Sequence, residues 1–382
     1  MLAELTVDLD AIVANITTLA ALVAPARFAA VVKANAYGHG LTDVSRAIAG
    51  AVDRLCVYEL SEAVALREAG VTGRIHVLGP IPPRDLDLAH AAQVELTLWD
   101  RGTYAAQVAS VARRRRAPFA VQVKIDTGVT RLGLAVGDAP AALLRYAAQP
   151  ELRLTGIFSH LAAAEEIASA FTAEQLAAFQ TAVAGFDPAV ERHIAASAAA
   201  MLWPPTRLGA VRAGIAIYGI WPSVPTQAIM HERGLRLIPA LRWTTQVVAL
   251  HNVPAGTSVG YVCTYRTTRA ARIGVLPIGY AEGLPRSLSN RGCVLATGRR
   301  VPIVGRICMN MTFIDLTDTP LAGVGSPVTL VGNDGDERID ADEAAGWAGT
   351  IGYELVTRIP AHVPRRYIGQ ASPDVVGLLA GS

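Results

Sequence analysis

Cysteine is scarce in this chain of 382 residues: Cys56, Cys263, Cys293 and Cys308 stand far apart, with neither paired nor metal-ligand spacing. That scattering argues against a disulfide framework and for a reducing compartment. Net charge is scarce as well. A formal +2 makes no electrostatic case for nucleic acid or an anionic membrane surface, and a solvated helix end explains the one conspicuous basic run, Arg113 to Arg116. The opening residues, Met-Leu-Ala-Glu-Leu-Thr-Val-Asp, hold neither a basic region nor a sustained apolar one, and no later run is long and apolar enough to span a bilayer. A cytoplasmic protein without nucleic-acid or membrane partners is expected. There is also no low-complexity linker.

What is present in quantity is apolar surface. With 52% hydrophobic residues the chain can bury one large core and a smaller second one, so two domains are expected. Apolar runs near 28–33, 54–58, 74–79, 94–98, 119–125, 153–159, 191–196 and 208–217 read as strands. Between most of them lie stretches of helical spacing, such as Ser61 to Ala69 with the serine as N-cap, Arg84 to Ala92, Gly102 to Arg115 and Thr172 to Ala184. Strand and helix alternating in this way predict a (β/α)₈ (TIM) barrel with functional groups at the C-terminal ends of its strands. After about residue 240 the rhythm changes to short β-rich runs at 244–251, 271–278, 293–296, 301–316 and 327–331, with Gly, Pro and Asn-Asp-Gly between them. This predicts a C-terminal, mostly antiparallel β domain, with a helix over Ala341 to Gly349.

One lysine stands out against the barrel pattern. Lys33 closes the run Phe28-Ala29-Ala30-Val31-Val32 and opens Lys33-Ala34-Asn35-Ala36-Tyr37-Gly38-His39-Gly40. Small and glycine residues there allow a sharp turn after the strand. Two readings are open on the segment alone: a lysine carrying its amine out of a strand end, or a desolvated amine able to attack an aldehyde. Lys124, His160 and Ser197 fall at further strand ends, and four polar side chains on one rim favour a site over barrel filling.

The lysine segment resembles that of the alanine racemases, pyridoxal-phosphate enzymes that interconvert L- and D-alanine, and the resemblance runs almost end to end. It continues through Lys124-Ile125-Asp126-Thr127-Gly128-Val129-Thr130-Arg131, His160, His193-Ile194-Ala195-Ala196-Ser197 and Val211-Arg212-Ala213-Gly214-Ile215. Beyond these come Gly279-Tyr280-Ala281-Glu282-Gly283, Val304 to Met309, Thr350-Ile351-Gly352-Tyr353-Glu354 and Val363 to Tyr367. The resemblance implies a cofactor-binding barrel over 10–238 and a second domain over 239–382 joined by residues 1–9, in a homodimer with shared active sites.

Pyridoxal phosphate requires an amine for its aldehyde, donors for its phosphate and a partner for its ring nitrogen. Barrels commonly bind phosphate in the loops after strands seven and eight, where Ser197 and the amides of Gly214 and Ile215 fall. The resemblance implies that Lys33 holds the aldehyde, that Tyr37 and Tyr353 complete the phosphate shell, and that Arg212 faces the ring nitrogen with His160 near the ring. Arginine keeps its proton, so it donates to that nitrogen and makes the ring a weaker electron sink than a carboxylate would. Racemisation needs an acid/base on each face of the substrate carbon. By resemblance these are Lys33 for the D-substrate and Tyr261, reaching in from the partner subunit, for the L-substrate. Arg131 and the backbone amide of Met309 would bind the substrate carboxylate. Lys124 matches a lysine that many members carry as a carbamate, whereas the residues alone fit equally a plain lysine paired with Asp126.

The chain departs from the family pattern beside these residues. Ala196 and Gly352 stand where asparagine is usual, Val262 replaces a glycine, Glu282 and Asn310 replace aspartates, and His362 replaces an arginine. Val262 and Asn310 flank expected substrate contacts, so a racemase of another small amino acid such as serine is an alternative to alanine. A pyridoxal-phosphate carrier without turnover is a second alternative, opposed by the β domain with Tyr261 and Met309.

Overall fold

The computed structural model describes residues 2–369, so Met1 and the stretch 370–382 of the expected second domain lie outside the described residues. Eight strands, Arg27–Val31, Arg54–Val57, Arg74–Val77, Glu95–Leu98, Phe119–Asp126, Leu152–Phe158, Glu191–His193 and Ala210–Ala213, run parallel in sequence order. The eighth returns to pair with the first, Ala210 against Arg27. The seventh and eighth meet where Gly209 N–H donates to Arg192 O at 2.9 Å and Arg212 N–H to Ala195 O at 3.0 Å. A nearly closed (β/α)₈ barrel results, as the alternation predicts.

Five of its eight strands begin with a charged residue, Arg27, Arg54, Arg74, Glu95 and Glu191. Arg54 and Glu191 pair in the interior, Arg74 Nε lies 2.7 Å from Glu95 Oε1, and Arg27 Nε lies 3.1 Å from Glu191 Oε2. Mutual neutralisation is what makes burial of these groups at the N-terminal floor tolerable.

Two expected boundaries shift for identifiable reasons. The helix after the second strand is Leu60–Glu68, and its start is set by Glu62, whose carboxylate accepts from Glu59 N at 3.2 Å, rather than by Ser61. The run 208–217 yields a strand only to Ala213, after which Ile215–Tyr218 winds into a 3₁₀ turn.

In the second part of the molecule, the run 244–251 divides between Leu241–Gln246 and Ala249–Val253, which belong to different sheets; Val247 and Val248 carry the chain across. The run 301–316 likewise divides into Arg299–Pro302 and Thr312–Asp315, because Gly305, at φ 73°, turns the chain out into a loop that contains Met309. The helix Ala341–Ala348 forms as read, and a further short helix, Gly352–Thr357, follows it. Pairing is antiparallel except at the N-terminal strand Glu4–Asp8, which lies antiparallel to Leu241–Gln246 and parallel to Arg365–Ile368. Asn15, buried in the helix Leu9–Val23, ties the barrel to the segment entering that sheet: its amide donates to Ile238 O at 2.8 Å and its oxygen accepts from Ile238 N at 2.8 Å.

Candidate active site

The turn after Lys33 is left-handed. Ala34, Asn35, Ala36 and Tyr37 all have φ between 51° and 56°, a run that costs L-residues roughly 1–2 kcal/mol each. Small Ala34 and Ala36 share the turn with Asn35 and Tyr37, ahead of Gly38 and Gly40. Surrounding bonds hold it: Ala36 N donates to Val32 O at 2.8 Å, Asn35 Oδ1 accepts from Leu41 N at 2.9 Å, and Arg365 Nε donates to Gly38 O at 2.8 Å. A Cβ on Gly38 would lie 2.1 Å from Val356 O, so the turn is clamped between barrel and second domain. Strain of this kind persists only where the surroundings impose it, and here it presents the Lys33 side chain at the barrel mouth. Burial holds the Lys33 amine below its ordinary range, with Arg131 pushing the same way and Glu62 opposing.

Lys124, inside the fifth strand, is buried and pushed down to about 8, by burial first and then by Arg131 and Arg212. Asp126 does not pair with it. That carboxylate is occupied by backbone amides, accepting from Gly128 at 2.9 Å, Val129 at 3.0 Å and Thr130 at 3.1 Å through Oδ1 and from Arg131 at 2.9 Å through Oδ2. Its task is to fold the loop that carries Arg131. His160, two residues past the sixth strand, is held neutral, pushed down to about 3 by burial and then by Arg212.

Arg212 is the most tightly held of these residues. Its Nη2 donates to Ser159 O at 2.7 Å and Ile194 O at 3.3 Å, while Nη1 donates to His193 Nδ1 and to His193 O at 3.3 Å. Arginine can only donate, so His193 must accept at Nδ1 and carry its proton on Nε2, which donates to Gln122 Oε1 at 2.6 Å. Gln122 in turn donates to Glu95 on the barrel floor. Burial pushes Arg212 down to about 10, which leaves it a cation at neutral pH. His193, Gln122 and Glu95 were not singled out for a role from sequence. Their signal was there: Gln122 is a polar residue between Val121 and Val123 in an otherwise apolar strand.

Beside this cluster lies a cradle of donors. Ser197 opens the short helix after the seventh strand and accepts from Gly214 N at 3.0 Å through Oγ. The N–H of Ile215 has no acceptor among the described residues, although Ile215 is fully buried. A Cβ on Gly214 would lie 2.4 Å from the Tyr37 hydroxyl oxygen, and the Tyr37 and Tyr353 rings stand 6.3 Å apart. Burial raises both phenols, so both are neutral donors. A buried N–H without an acceptor beside serine and tyrosine hydroxyls is what a phosphate group requires.

The chain matches the alanine racemase N-terminal domain over residues 7–222 and the alanine racemase C-terminal domain over 240–367. It belongs to the alanine racemase family. An alanine racemase of Symbiobacterium thermophilum is 39% identical over 372 residues, which is 96% of this chain and 97% of that protein. Among solved structures, alanine racemase from D-cycloserine-producing Streptomyces lavendulae superposes with a TM-score of 0.90 at 34% identity, covering 98% of both chains. The Bartonella henselae alanine racemase, with covalently bound pyridoxal phosphate, superposes at 0.84 with 28% identity, covering 96% of this chain and 100% of that one. The family is pyridoxal-phosphate-dependent.

Against the alanine racemase pattern, Tyr261 and Met309 are the expected site residues that the single chain does not bring to the barrel mouth. Tyr261 lies on an exposed turn, 68% accessible, and Met309 on the loop before Thr312–Asp315, 57% accessible. The two segments pack together, since a Cβ on Gly260 would lie 3.2 Å from Arg306 N. Val262, Tyr280 and Met311, on the same turn, loop and adjoining hairpin, are exposed as well. The departure at Gly352 has a local reason: the Asp342 carboxylate lies 2.3 Å from where a Cβ would be, in the space an asparagine side chain would need. Val262 adopts φ 62°, a conformation that suits the family's glycine and strains a β-branched residue. Nothing in the structure explains why valine stands there. Among the described residues no helix is long and apolar enough to cross a membrane, and no group of three or more His, Cys, Asp and Glu is placed to hold a metal.

Proposed function

We propose that the protein interconverts L- and D-alanine with pyridoxal 5′-phosphate, using Lys33 and Tyr261 as the two bases in a homodimer with shared sites. The observation that carries this reading is that a desolvated lysine amine and a buried Ile215 N–H without an acceptor, beside the Ser197 and Tyr37 hydroxyls, lie at the same end of the barrel. Lys33 would hold the cofactor aldehyde. Ser197, Tyr37, Tyr353 and the amides of Gly214 and Ile215 would hold its phosphate, and Arg212, whose Nε–H has no acceptor among the described residues, would face the ring nitrogen. When bound, the cofactor supplies an electron sink that acidifies the Cα–H of the attached amino acid.

Everything else falls to the chain. Arg212 stays a cation and His160 a neutral imidazole, so the ring environment is set by fixed groups rather than by titrating ones. Lys33 exchanges a proton with the D-substrate at Nζ and Tyr261, from the partner, with the L-substrate at its phenolic oxygen. Arg131 and the Met309 amide hold the carboxylate. The exposed apolar side chains around Tyr261 and Met309 support a second copy of this chain as their cover. The lowered pKa of Lys124 leaves a neutral fraction at physiological pH, which reaction with carbon dioxide needs, and the resulting anion would bind the Arg131 guanidinium.

Purified protein with cofactor, offered a panel of L- and D-amino acids and read by chiral product analysis, tests the substrate. Alanine is expected to give the highest kcat/KM, with serine behind it by no more than about 10²-fold, since an apolar pocket rejects an added hydroxyl only weakly. A preference for serine would overturn the alanine assignment. Bound cofactor with no racemisation of any amino acid would instead favour a carrier.

A further inference from the structure

Two departures from the family pattern that look independent in sequence are in contact. The Glu282 carboxylate, 7% accessible, accepts from Asn310 Nδ2 at 2.7 Å through Oε1 and from Gly279 N at 2.8 Å through Oε2. Around this pair the turn Gly279–Glu282 is laced to the Met309 loop: Tyr280 N donates to Cys308 O at 3.2 Å and Ala281 N to Met309 O at 2.9 Å. The fit allows no side chain on Gly279, whose Cβ would lie 2.2 Å from Cys308 O and 2.4 Å from Met309 O. Cys308 N is also taken, donating to Met311 O at 2.9 Å. The Met309 N–H, like those of Asn310 and Met311 after it, is left with no acceptor among the described residues.

We infer that Glu282 is a positioning residue for substrate binding: with Asn310 as its neutral donor, it fixes the loop that aims the Met309 amide at the substrate carboxylate. This rests on the assignment of that amide to the carboxylate. Glutamate in place of aspartate adds the methylene of reach, and asparagine in place of aspartate supplies a donor where a second carboxylate would repel. The pair therefore acts on binding, common to ground and transition states, rather than on proton transfer.

The test is steady-state racemisation of alanine by the holoenzyme, with propionate as a competitive carboxylate probe, in Asn310→Asp, in the exchanged double variant Glu282→Gln/Asn310→Asp, and in Met309→Pro. Cofactor absorbance and dimer elution establish that each variant is assembled. Asn310→Asp should raise the alanine KM and the propionate inhibition constant together by about tenfold or more, with kcat within about twofold. The exchanged variant restores donor facing acceptor, so both constants should return to within about threefold of the parent. An unchanged KM in Asn310→Asp, or exchange without recovery, overturns the proposal. If the exchanged variant alone assembles, its constants decide by the same criterion. Met309→Pro separates the two layers: a raised KM there beside an unchanged Asn310→Asp refutes the positioning role alone, and an unchanged KM there refutes the Met309 assignment beneath it.

Discussion

Lys33→Ala should lose covalently held cofactor and racemise alanine at least about 10³-fold more slowly than the parent, because one substitution removes both an anchor and a base. The structure has two lysines with lowered pKa values at one mouth, Lys124 buried and Lys33 half-buried, so the chemistry must choose between them. Geometry favours Lys33. It follows directly on the strand and begins the clamped left-handed turn whose far end, Tyr37, reaches the donor cradle at Gly214, so anchor and phosphate site are parts of one rigid segment. Lys124 lies inside its strand, opposite Phe158, with its Nζ 5.8 Å from that ring. Borohydride reduction and peptide mapping should place the pyridoxyl label on Lys33. A label on Lys124 would reverse the two roles.

Mixing Lys33→Ala with Tyr261→Phe subunits should regenerate activity that neither variant has. Each homodimer should be slowed by about 10²-fold or more, since each lacks one of the two acid/bases at both sites. In a heterodimer built on shared sites, the intact Lys33 of one subunit faces the intact Tyr261 of the other, and the second site has neither. Random reassembly of equal amounts gives half heterodimers with one working site of two, hence about a quarter of parental activity. The exposure of Tyr261 in the single chain is the reason to expect this. Verified heterodimers without recovery would place Tyr261 in its own subunit's site or outside catalysis.

The barrel was legible because its alternation of apolar runs and helical stretches is a long-range pattern that no single residue can hide. The same reading erred where a local pattern crosses a structural boundary. The runs 244–251 and 301–316 are continuously β-rich, yet each spans two strands, since a chain changing sheets at Val247–Val248 or looping out at Gly305 keeps its apolar composition. Tyr353 sits in the short helix Gly352–Thr357, for which the sequence pattern raised no expectation. At the mouth, sequence marks which residues carry chemistry but not what restrains them. Asp126 folds the Arg131 loop through amides only two to five residues on, whereas the link from Arg212 through His193 and Gln122 to the barrel floor depends on contacts between distant strands. The contact between Glu282 and Asn310 was hidden for the same reason: each residue stood out singly, and only the folded loop puts them together.

Two bases acting from opposite faces leave a signature in the isotopic label of the first product. L-Alanine with protium at Cα is incubated in deuterium oxide, and D-alanine is isolated at early conversion and weighed by mass spectrometry. With Tyr261 removing the proton from one face and solvent-exchanged Lys33 delivering to the other, the D-alanine should carry deuterium at Cα from the first turnovers, and the reverse reaction should label L-alanine equally. Early D-alanine that retains the protium of its substrate would mean that one group carries the proton across both faces, and would contradict the account.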